Sequence, residues 1–380
     1  MKKNQLVTLG KHIDILSGCA FPSSGFNRNN GVPLIRIRDI LSGKTETYYE
    51  GSYDLKYLIK KGDLLVGMDG DFNREYWKGT DALLNQRVCK ITLNPETLDK
   101  NFLYHFLQKE LDKIHATTDV VTVKHLSVKK IQDIKIRLPS LKEQKRIAAI
   151  LDKADAIRQK REQAIKLADD FLRAKFLEMF GTPANNIHRF PKGTIRDLVD
   201  SVNYGTSAKA SIDSGEYPIL RMGNITYQGR WDFTDLKYLD LSVKEKDKYL
   251  VKEGDLLFNR TNSKELVGKT AVYEEDRPMA FAGYLIRVRP NSIGNNYYIS
   301  GYLNSIHGKI TLMNMCKSIV GMANINAQEL QNIEILIPPK HLQDEYEIIY
   351  KKIKKGLSIY DKSAMQLQLL ASNLSNKYFM

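Results

Sequence analysis

Short apolar runs dominate most of this chain, and in two places the apolar spacing lengthens to the three- and four-residue steps of a long helix. Residues 33–37, 63–66 and 88–93 read as strands bounded by Gly, Asp and Asn, and so do residues 218–222, 255–258 and 284–288. An apolar-spaced segment precedes each set: Leu9, Ile13 and Leu16 in the first, Ile195, Leu198 and Val199 in the second. An amphipathic helix is predicted to begin near Phe102 and again near Tyr297. Ile134-Lys135-Ile136-Arg137-Leu138 and Ile333-Glu334-Ile335-Leu336-Ile337 then close each set as alternating strands halted by proline.

After each proline the period changes. From residue 143 to 180, Ile147, Leu151, Ala154, Ile165, Ala168, Leu172 and Phe176 form a narrow stripe with no internal Gly or Pro. From residue 344 onward, Ile349, Ile353, Tyr360, Ala364, Leu367, Leu374 and Tyr378 do the same, weakened locally by Gly356. Such stripes are coiled-coil seams. A helix over 143–180 would be about 57 Å long, more than a small core needs. Gly181-Thr182-Pro183 ends it.

The two sets are copies of one another. Gly31-Val32-Pro33-Leu34-Ile35-Arg36 returns as Glu216-Tyr217-Pro218-Ile219-Leu220-Arg221, and Lys61-Gly62-Asp63-Leu64-Leu65-Val66 as Glu253-Gly254-Asp255-Leu256-Leu257-Phe258. The closing strands are the third echo, and the offsets rise from 185 to 192 to 199. Slowly growing offsets mean two homologous modules with insertions in the second. A duplicated module in one chain implies a pseudo-twofold object that reads something with two halves. The expected fold is α+β, with boundaries at 1–141 and 181–343 for the modules and 142–180 and 344–380 for two long antiparallel coiled-coil helices.

Charge changes the picture more than composition does. Hydrophobic content of 42% and charged content of 27% are ordinary for a globular chain of 380 residues, but a net charge of +14 is not. Residues 142–180 carry net +3 and residues 344–380 net +2, so the modules hold most of the excess. A basic surface suits a polyanion, since phosphate neutralisation releases counterions. Cys19, Cys89 and Cys316 lie far apart, which argues against a zinc site or a disulfide framework. No apolar run follows Met1-Lys2-Lys3 or approaches the roughly 18 residues of a membrane span, so a cytoplasmic, non-membrane protein is expected.

Several apparent motifs fail on inspection. Gly268-Lys269-Thr270 imitates the end of a phosphate-binding loop, but Ser263 occupies the position of the leading glycine. Asp133 with Glu143 and Lys145 loosely imitates a nuclease metal site, yet Glu143-Gln144-Lys145 falls at the start of the long helix. No Asn/Asp-Pro-Pro-aromatic tetrapeptide, Gly-x-Ser-x-Gly elbow or zinc HExxH is present, and the seven histidines show no metal-ligand spacing. No catalytic constellation emerges.

The loops after each Gly-Asp-Leu-Leu strand diverge while the strands agree, as two readers of different sequences would require. They are Gly67-Met68-Asp69-Gly70-Asp71-Phe72-Asn73-Arg74 and Asn259-Arg260-Thr261-Asn262-Ser263-Lys264. Arg forks onto guanine and Asn pairs bidentately with adenine, which makes Asn73, Arg74, Arg260, Asn262 and Lys264 candidate DNA contacts. Asn and Asp also serve as plain turn formers. Gln86 and Arg87, matched by Phe281-Ala282-Gly283-Tyr284, form a second cluster. Thr122-Val123-Lys124-His125 and Gly321-Met322-Ala323-Asn324-Ile325, before the closing helix of each module, form a third, with Lys124 its phosphate candidate. Arg36, Arg38, Arg221 and Asn224 follow the first strand and complete the set. Capping and strand-edge solvation is the alternative reading of these last groups.

These features resemble the specificity subunits of type I DNA restriction–modification enzymes over essentially the whole chain. The resemblance rests on the two Gly-Asp-Leu-Leu segments, on Leu138-Pro139-Ser140-Leu141-Lys142-Glu143-Gln144-Lys145-Arg146-Ile147, and on Phe176-Leu177-Glu178-Met179-Phe180-Gly181. Pro338-Pro339-Lys340-His341-Leu342-Gln343 keeps the glutamine but has Leu342 in place of Glu143. The resemblance implies two target-recognition domains that each read half of a split double-stranded DNA sequence, with helices that set the spacing and dock two methyltransferase subunits. It further implies a chain without catalysis. S-adenosylmethionine, ATP and Mg would sit on the methyltransferase and restriction/translocase partners. The recognition subunit of a fused restriction–methylation enzyme that cuts both sides of its site would look the same. A coiled-coil scaffold with protein- or RNA-binding modules is the reading from a different class.

Overall fold

The computed structural model describes residues 6–118, 124–263, 266–316 and 323–379. Both long stripes are helices, Leu141–Phe180 and Lys340–Phe379, each of 40 residues and so about 60 Å long. The chain divides into two compact units, Met1–Lys160 with Lys362–Met380, and Arg161–Asp361. Each unit therefore contains the start of one long helix and the end of the other.

In the first unit a four-stranded antiparallel sheet runs in the order Ile13–Ser17, Val88–Leu93, Leu64–Gly67, Arg74–Tyr76. A mixed sheet of five short strands, Phe26–Asn27, Tyr48–Tyr49, Val32–Ile35, Ala82–Leu84 and Leu58–Ile59, forms a second layer. The strand Leu64–Gly67 is buried on both faces. Leu64 and Val66 enter a core with Phe102, Phe106, Ile147, Leu151 and Phe379, while Leu65 enters one with Ile35, Ile59 and Trp77. The predicted helix near Phe102 is Lys100–Ala116, capped by the Asp99 carboxylate, which accepts from Asn101 and Phe102 N–H at 3.0 Å each.

The second unit repeats this plan. Its antiparallel sheet runs Val199–Tyr204, Leu285–Pro290, Leu256–Asn259, Thr270–Val272. A three-stranded mixed sheet, Lys237–Leu239, Tyr217–Leu220 and Ala280–Phe281, stands where the five-stranded one stood. Leu256 and Phe258 pack with Phe176, Tyr298 and Tyr346, and Leu257 packs with Leu220, Tyr273 and Phe281. Burying a side chain of this size is worth about 1.5–3 kcal/mol, so the aromatic end of the central helix is a major anchor. The helix predicted near Tyr297 is broken in two, Asn296–Asn304 and Ile306–Met315, because Ser305 caps the second piece through its hydroxyl to Gly308 N–H at 3.0 Å.

The Gly-Asp-Leu-Leu echo has a local cause. Gly62 and Gly254 hold φ of +93° and +87°, a left-handed turn that disfavours any side chain. The Asp63 and Asp255 carboxylates then close the turn by accepting Lys60 N–H at 2.8 Å and Lys252 N–H at 2.9 Å. Asp63 also pairs with Lys90 at 2.9 Å. Asp255, only 4% exposed, pairs with Arg289 at 2.7 Å and lies 3.9 Å from Arg287. Burial pushes the Arg287 guanidinium below its usual pKa, while the hydrogen bond to Asp255 holds that of Arg289 up.

The apolar stripes are only partly seams. Ile147, Leu151, Leu172 and Phe176 are buried, but Tyr360 is 56% exposed. Tyr346, outside the expected stripe, is buried against Phe176 and Phe180. Near the other end of the same helix, Phe379 packs on Phe102 and Phe106 in the first unit. The start of each long helix thus lies in the unit that holds the end of the other, as an antiparallel pair requires.

Candidate nucleic-acid interface

Where each Gly-Asp-Leu-Leu strand ends, three chain segments meet in one hydrogen-bond pattern. In the first unit Met68 N–H donates to Arg87 C=O at 2.9 Å, and Leu126 N–H donates to Met68 C=O at 2.7 Å. In the second, Arg260 N–H donates to Tyr284 C=O at 3.0 Å, and Ile325 N–H donates to Arg260 C=O at 2.9 Å. Met68 is therefore the structural equivalent of Arg260, Asp69 of Thr261, Arg87 of Tyr284, and His125 of Asn324. The side chains repeat the pattern with different chemistry. Asp69 pairs with His125 Nδ1 at 2.7 Å, and Thr261 Oγ1 donates to Asn324 Oδ1 at 3.0 Å.

The exposed groups of these two clusters are suited to nucleic acid. Arg87 and His125 are more than half exposed, and Arg87 Nε lies 3.2 Å from Asp69 Oδ2. In the second unit the Arg260 guanidinium sits over the Tyr204 ring at 4.9 Å from its centroid. Tyr204 and Tyr284 are exposed, and so is Asn324. A planar cation beside aromatic faces and amide edges can stack on bases and hydrogen-bond to their edges.

Other candidates lie elsewhere. Asn73 C=O accepts from Gly67 N–H exactly as Lys269 C=O accepts from Asn259 N–H, each at 2.8 Å, so Asn73 corresponds to Lys269 rather than to Arg260 or Asn262. Arg74 lies flat on Tyr104, 3.5 Å from the ring centroid, and burial pushes its pKa down. It is a packing residue on the second strand of the hairpin. Asn224 is 3% exposed and spends its amide on Arg221 N–H and on the carbonyls of Asp232 and Asp235, which removes it as a base contact. Arg221 is paired with Asp235 at 2.8 Å.

Arg36 caps a short 3-10 turn, its N–H donating to Asp39 at 2.9 Å, and its guanidinium lies 5.4 Å from the Phe26 ring. Arg38 remains exposed. Gln86 is exposed beside Arg87, and Asn262 is half-buried with its Oδ1 accepting from Ser263 N–H at 2.9 Å. The Lys124 ammonium donates to His115 C=O at 2.6 Å, at the C-terminal end of the Lys100–Ala116 helix. Lys264, Thr122, Val123, Gly321 and Met322 lie outside the described residues.

His125, Tyr284 and Asn324 lie in the expected second and third clusters, whereas residue-by-residue reading did not single out Asp69, Thr261 or Tyr204. The offsets hold the missing signal: 192 carries Asp69 onto Thr261, and 199 carries His125 onto Asn324. The rejected phosphate loop stays rejected, since Lys269 is buried and its ammonium donates to Met222 C=O at 2.8 Å. Among the described residues no group of three or more His, Cys, Asp or Glu is placed to hold a metal ion, and no helix is long and apolar enough to cross a membrane.

The comparison with known proteins falls on this duplicated scaffold. Residues 1–167 and 190–371 both match the type I restriction modification DNA specificity domain. The chain belongs to that family. It is 30% identical to the type I restriction enzyme EcoBI specificity subunit of Escherichia coli, over 97% of this chain and 82% of that protein. With the EcoKI specificity subunit of Escherichia coli K12 it shares 23% identity over 92% of this chain and 80% of the other. The fold resembles the crystal structure of a type I restriction-modification S subunit from M. genitalium, with a TM-score of 0.65 at 15% identity, covering 100% of this chain and 97% of that one.

Proposed function

We propose that this specificity-domain chain is the non-catalytic DNA specificity subunit of a type I restriction–modification complex. The observation that carries the reading is the pair of equivalent loop clusters, built on one backbone pattern and bearing Asp69, Arg87 and His125 in one unit and Thr261, Tyr284 and Asn324 in the other. Each unit reads one half of a bipartite duplex sequence. The excess positive charge supplies the sequence-independent part of binding. Phosphate contacts come from exposed cations such as Arg38, and base contacts from the loop clusters.

The long helices set the unspecified spacer and dock two methyltransferase subunits. Leu167 and Phe171 on the central helix are 59% and 50% exposed, and Met365 and Leu369 on the C-terminal helix are 78% and 63% exposed. Each pair is spaced by four residues and so shares a helix face, which a partner subunit would cover. Restriction/translocase subunits join through that core. S-adenosylmethionine, ATP and Mg act on the partners, and the complex works in the cytoplasm.

Reconstitution tests the assignment. The purified chain is expected to transfer no methyl group to DNA alone and to confer site-specific methylation once its methyltransferase subunit is added. Methyl transfer by the chain alone refutes it.

A further inference from the structure

Asp69 sits between two exposed side chains from distant segments. Its Oδ1 is 2.7 Å from His125 Nδ1 and its Oδ2 is 3.2 Å from Arg87 Nε. The Asp69 side chain itself is 23% exposed, whereas Arg87 and His125 are 54% and 57% exposed. The backbone around it is fixed from both sides, because Met68 is hydrogen-bonded to Arg87 and to Leu126, and Gly70 N–H donates to Lys124 C=O at 3.1 Å. The carboxylate is thus a rigid post, and the two longer side chains lean on it.

We propose that Asp69 is a positioning residue that presents Arg87 as a guanine-reading fork in the first unit, with His125 as its neighbouring contact. The proposal rests on the DNA-recognition reading above and deepens it. A guanidinium has five N–H donors in one plane. With the carboxylate ion-paired on the Nε side at 3.2 Å, both terminal nitrogens remain on the far edge, spaced to fork onto the O6 and N7 acceptors of guanine. An ordered Arg also loses less rotamer freedom on binding, which sharpens discrimination. His125 is held in the same way: its Nδ1 faces an acceptor, so in the neutral ring Nδ1 carries the proton and Nε2 is left as an acceptor.

The charge balance favours a base edge over a phosphate. A carboxylate at 3.2 Å from the guanidinium would repel a phosphate placed on the same Arg, whereas a neutral base edge pays no such penalty. Among the described residues, the second unit has no such post at the equivalent position. Thr261 and Asn324 form a neutral pair, and Tyr284 replaces Arg87, so its half-site is read by other groups.

The test is a binding selection on randomised duplex DNA, using the chain in complex with its methyltransferase subunits. Wild type is compared with Arg87→Ala and Asp69→Asn. Wild type is expected to require guanine at one position of the first half-site. Arg87→Ala should lose that preference, about 5- to 150-fold against other bases, and leave the second half-site unchanged. The unchanged half also shows that the complex is intact. Asp69→Asn should weaken the same preference while affinity for non-specific DNA holds or rises, a split that a merely structural role does not produce. Uniform weakening on all sequences by Arg87→Ala would mark a phosphate contact and overturn the proposal. A retained guanine requirement in both variants would overturn it as well. A wild-type complex with a bipartite consensus lacking guanine in the first half defeats this inference alone, whereas one with no split consensus defeats the DNA-recognition reading with it.

Discussion

The Oε1 atom of Gln144 accepts the backbone N–H of Asp99 at 2.8 Å. The same amide donates to Thr97 C=O at 3.0 Å and to Pro139 C=O at 2.9 Å, so one side chain ties the start of the central helix to the cap of the Lys100–Ala116 helix. Gln343 repeats the two donations, to Ile293 C=O at 3.0 Å and Pro338 C=O at 2.9 Å. Its Oε1 has no partner among the described residues. Both glutamines are buried, at 1% and 0% exposure, which is why the glutamine survives in the second copy where Leu342 has replaced Glu143.

Replacing Gln144 by Leu should therefore cost more than replacing Gln343 by Leu. The first change leaves a half-buried N–H and two carbonyls unpaired, and the second only the carbonyls. The difference is expected to be about 1 kcal/mol, the order of one hydrogen bond lost at a half-buried donor. Denaturant unfolding of both variants measures it, with faster hydrogen exchange at Asp99 N–H as a local sign. Equal destabilisation would mean that the Asp99 bond contributes nothing.

Lys309 gives a pH-dependent prediction. Its ammonium is buried, has no hydrogen-bond partner among the described residues, and lies 4.9 Å from the Tyr227 ring centroid. Burial, aided by the charges of Arg173 and Lys269, pushes its pKa down to about 8. A base whose pKa is depressed by folding adds stability above its unfolded value near 10.5 and loses it as the pH falls through about 8. At pH 7 the charged form is a burden, so Lys309→Met should stabilise the second unit by on the order of 2–3 kcal/mol. The gain should shrink by roughly 1 kcal/mol at pH 9, where the native lysine is mostly neutral. Parallel denaturant titrations at the two pH values measure it, and a gain independent of pH would show that the charge is not the cause.

The spacer prediction follows from helix geometry. Inserting four residues after Ala164 adds about 6 Å to the central helix. The unspecified spacer of the DNA target should lengthen while both half-sites keep their bases. Sequencing of sites methylated by the reconstituted complex reads this directly, and altered half-site bases with an unchanged spacer would disprove the ruler.

Elements governed by local pattern were legible in the chain. The Gly-Asp-Leu-Leu strands, the strands 88–93 and 284–288, and both long helices appear within a few residues of their expected bounds, since each is set by nearby apolar spacing and turn chemistry. The segments of the loop clusters were legible too, but the pairings inside them were not. Asp69 meets His125 across 56 positions and Thr261 meets Asn324 across 63, and no local pattern encodes such pairings. Arg74 and Arg260 were both expected as base contacts, but the backbone hydrogen bonds make Met68 the equivalent of Arg260, and Arg74 lies over Tyr104. Arg36, Arg221 and Asn224 were recognised as polar groups after the first strand, but the 3-10 turn that engages the Arg36 and Arg221 amides and the Asn224 side chain was not predicted.

The central claim is that two equivalent modules read two DNA half-sites independently. A binding selection on randomised duplex DNA, with the chain in complex with its methyltransferase subunits, compares wild type with Arg260→Ala. Wild type should yield two specified blocks separated by a constant unspecified spacer. Arg260→Ala should relax one position of the block read by the second unit, by about 1–3 kcal/mol of discrimination, and leave the other block untouched. A single contiguous consensus, or a change in both blocks from that one substitution, would contradict the account.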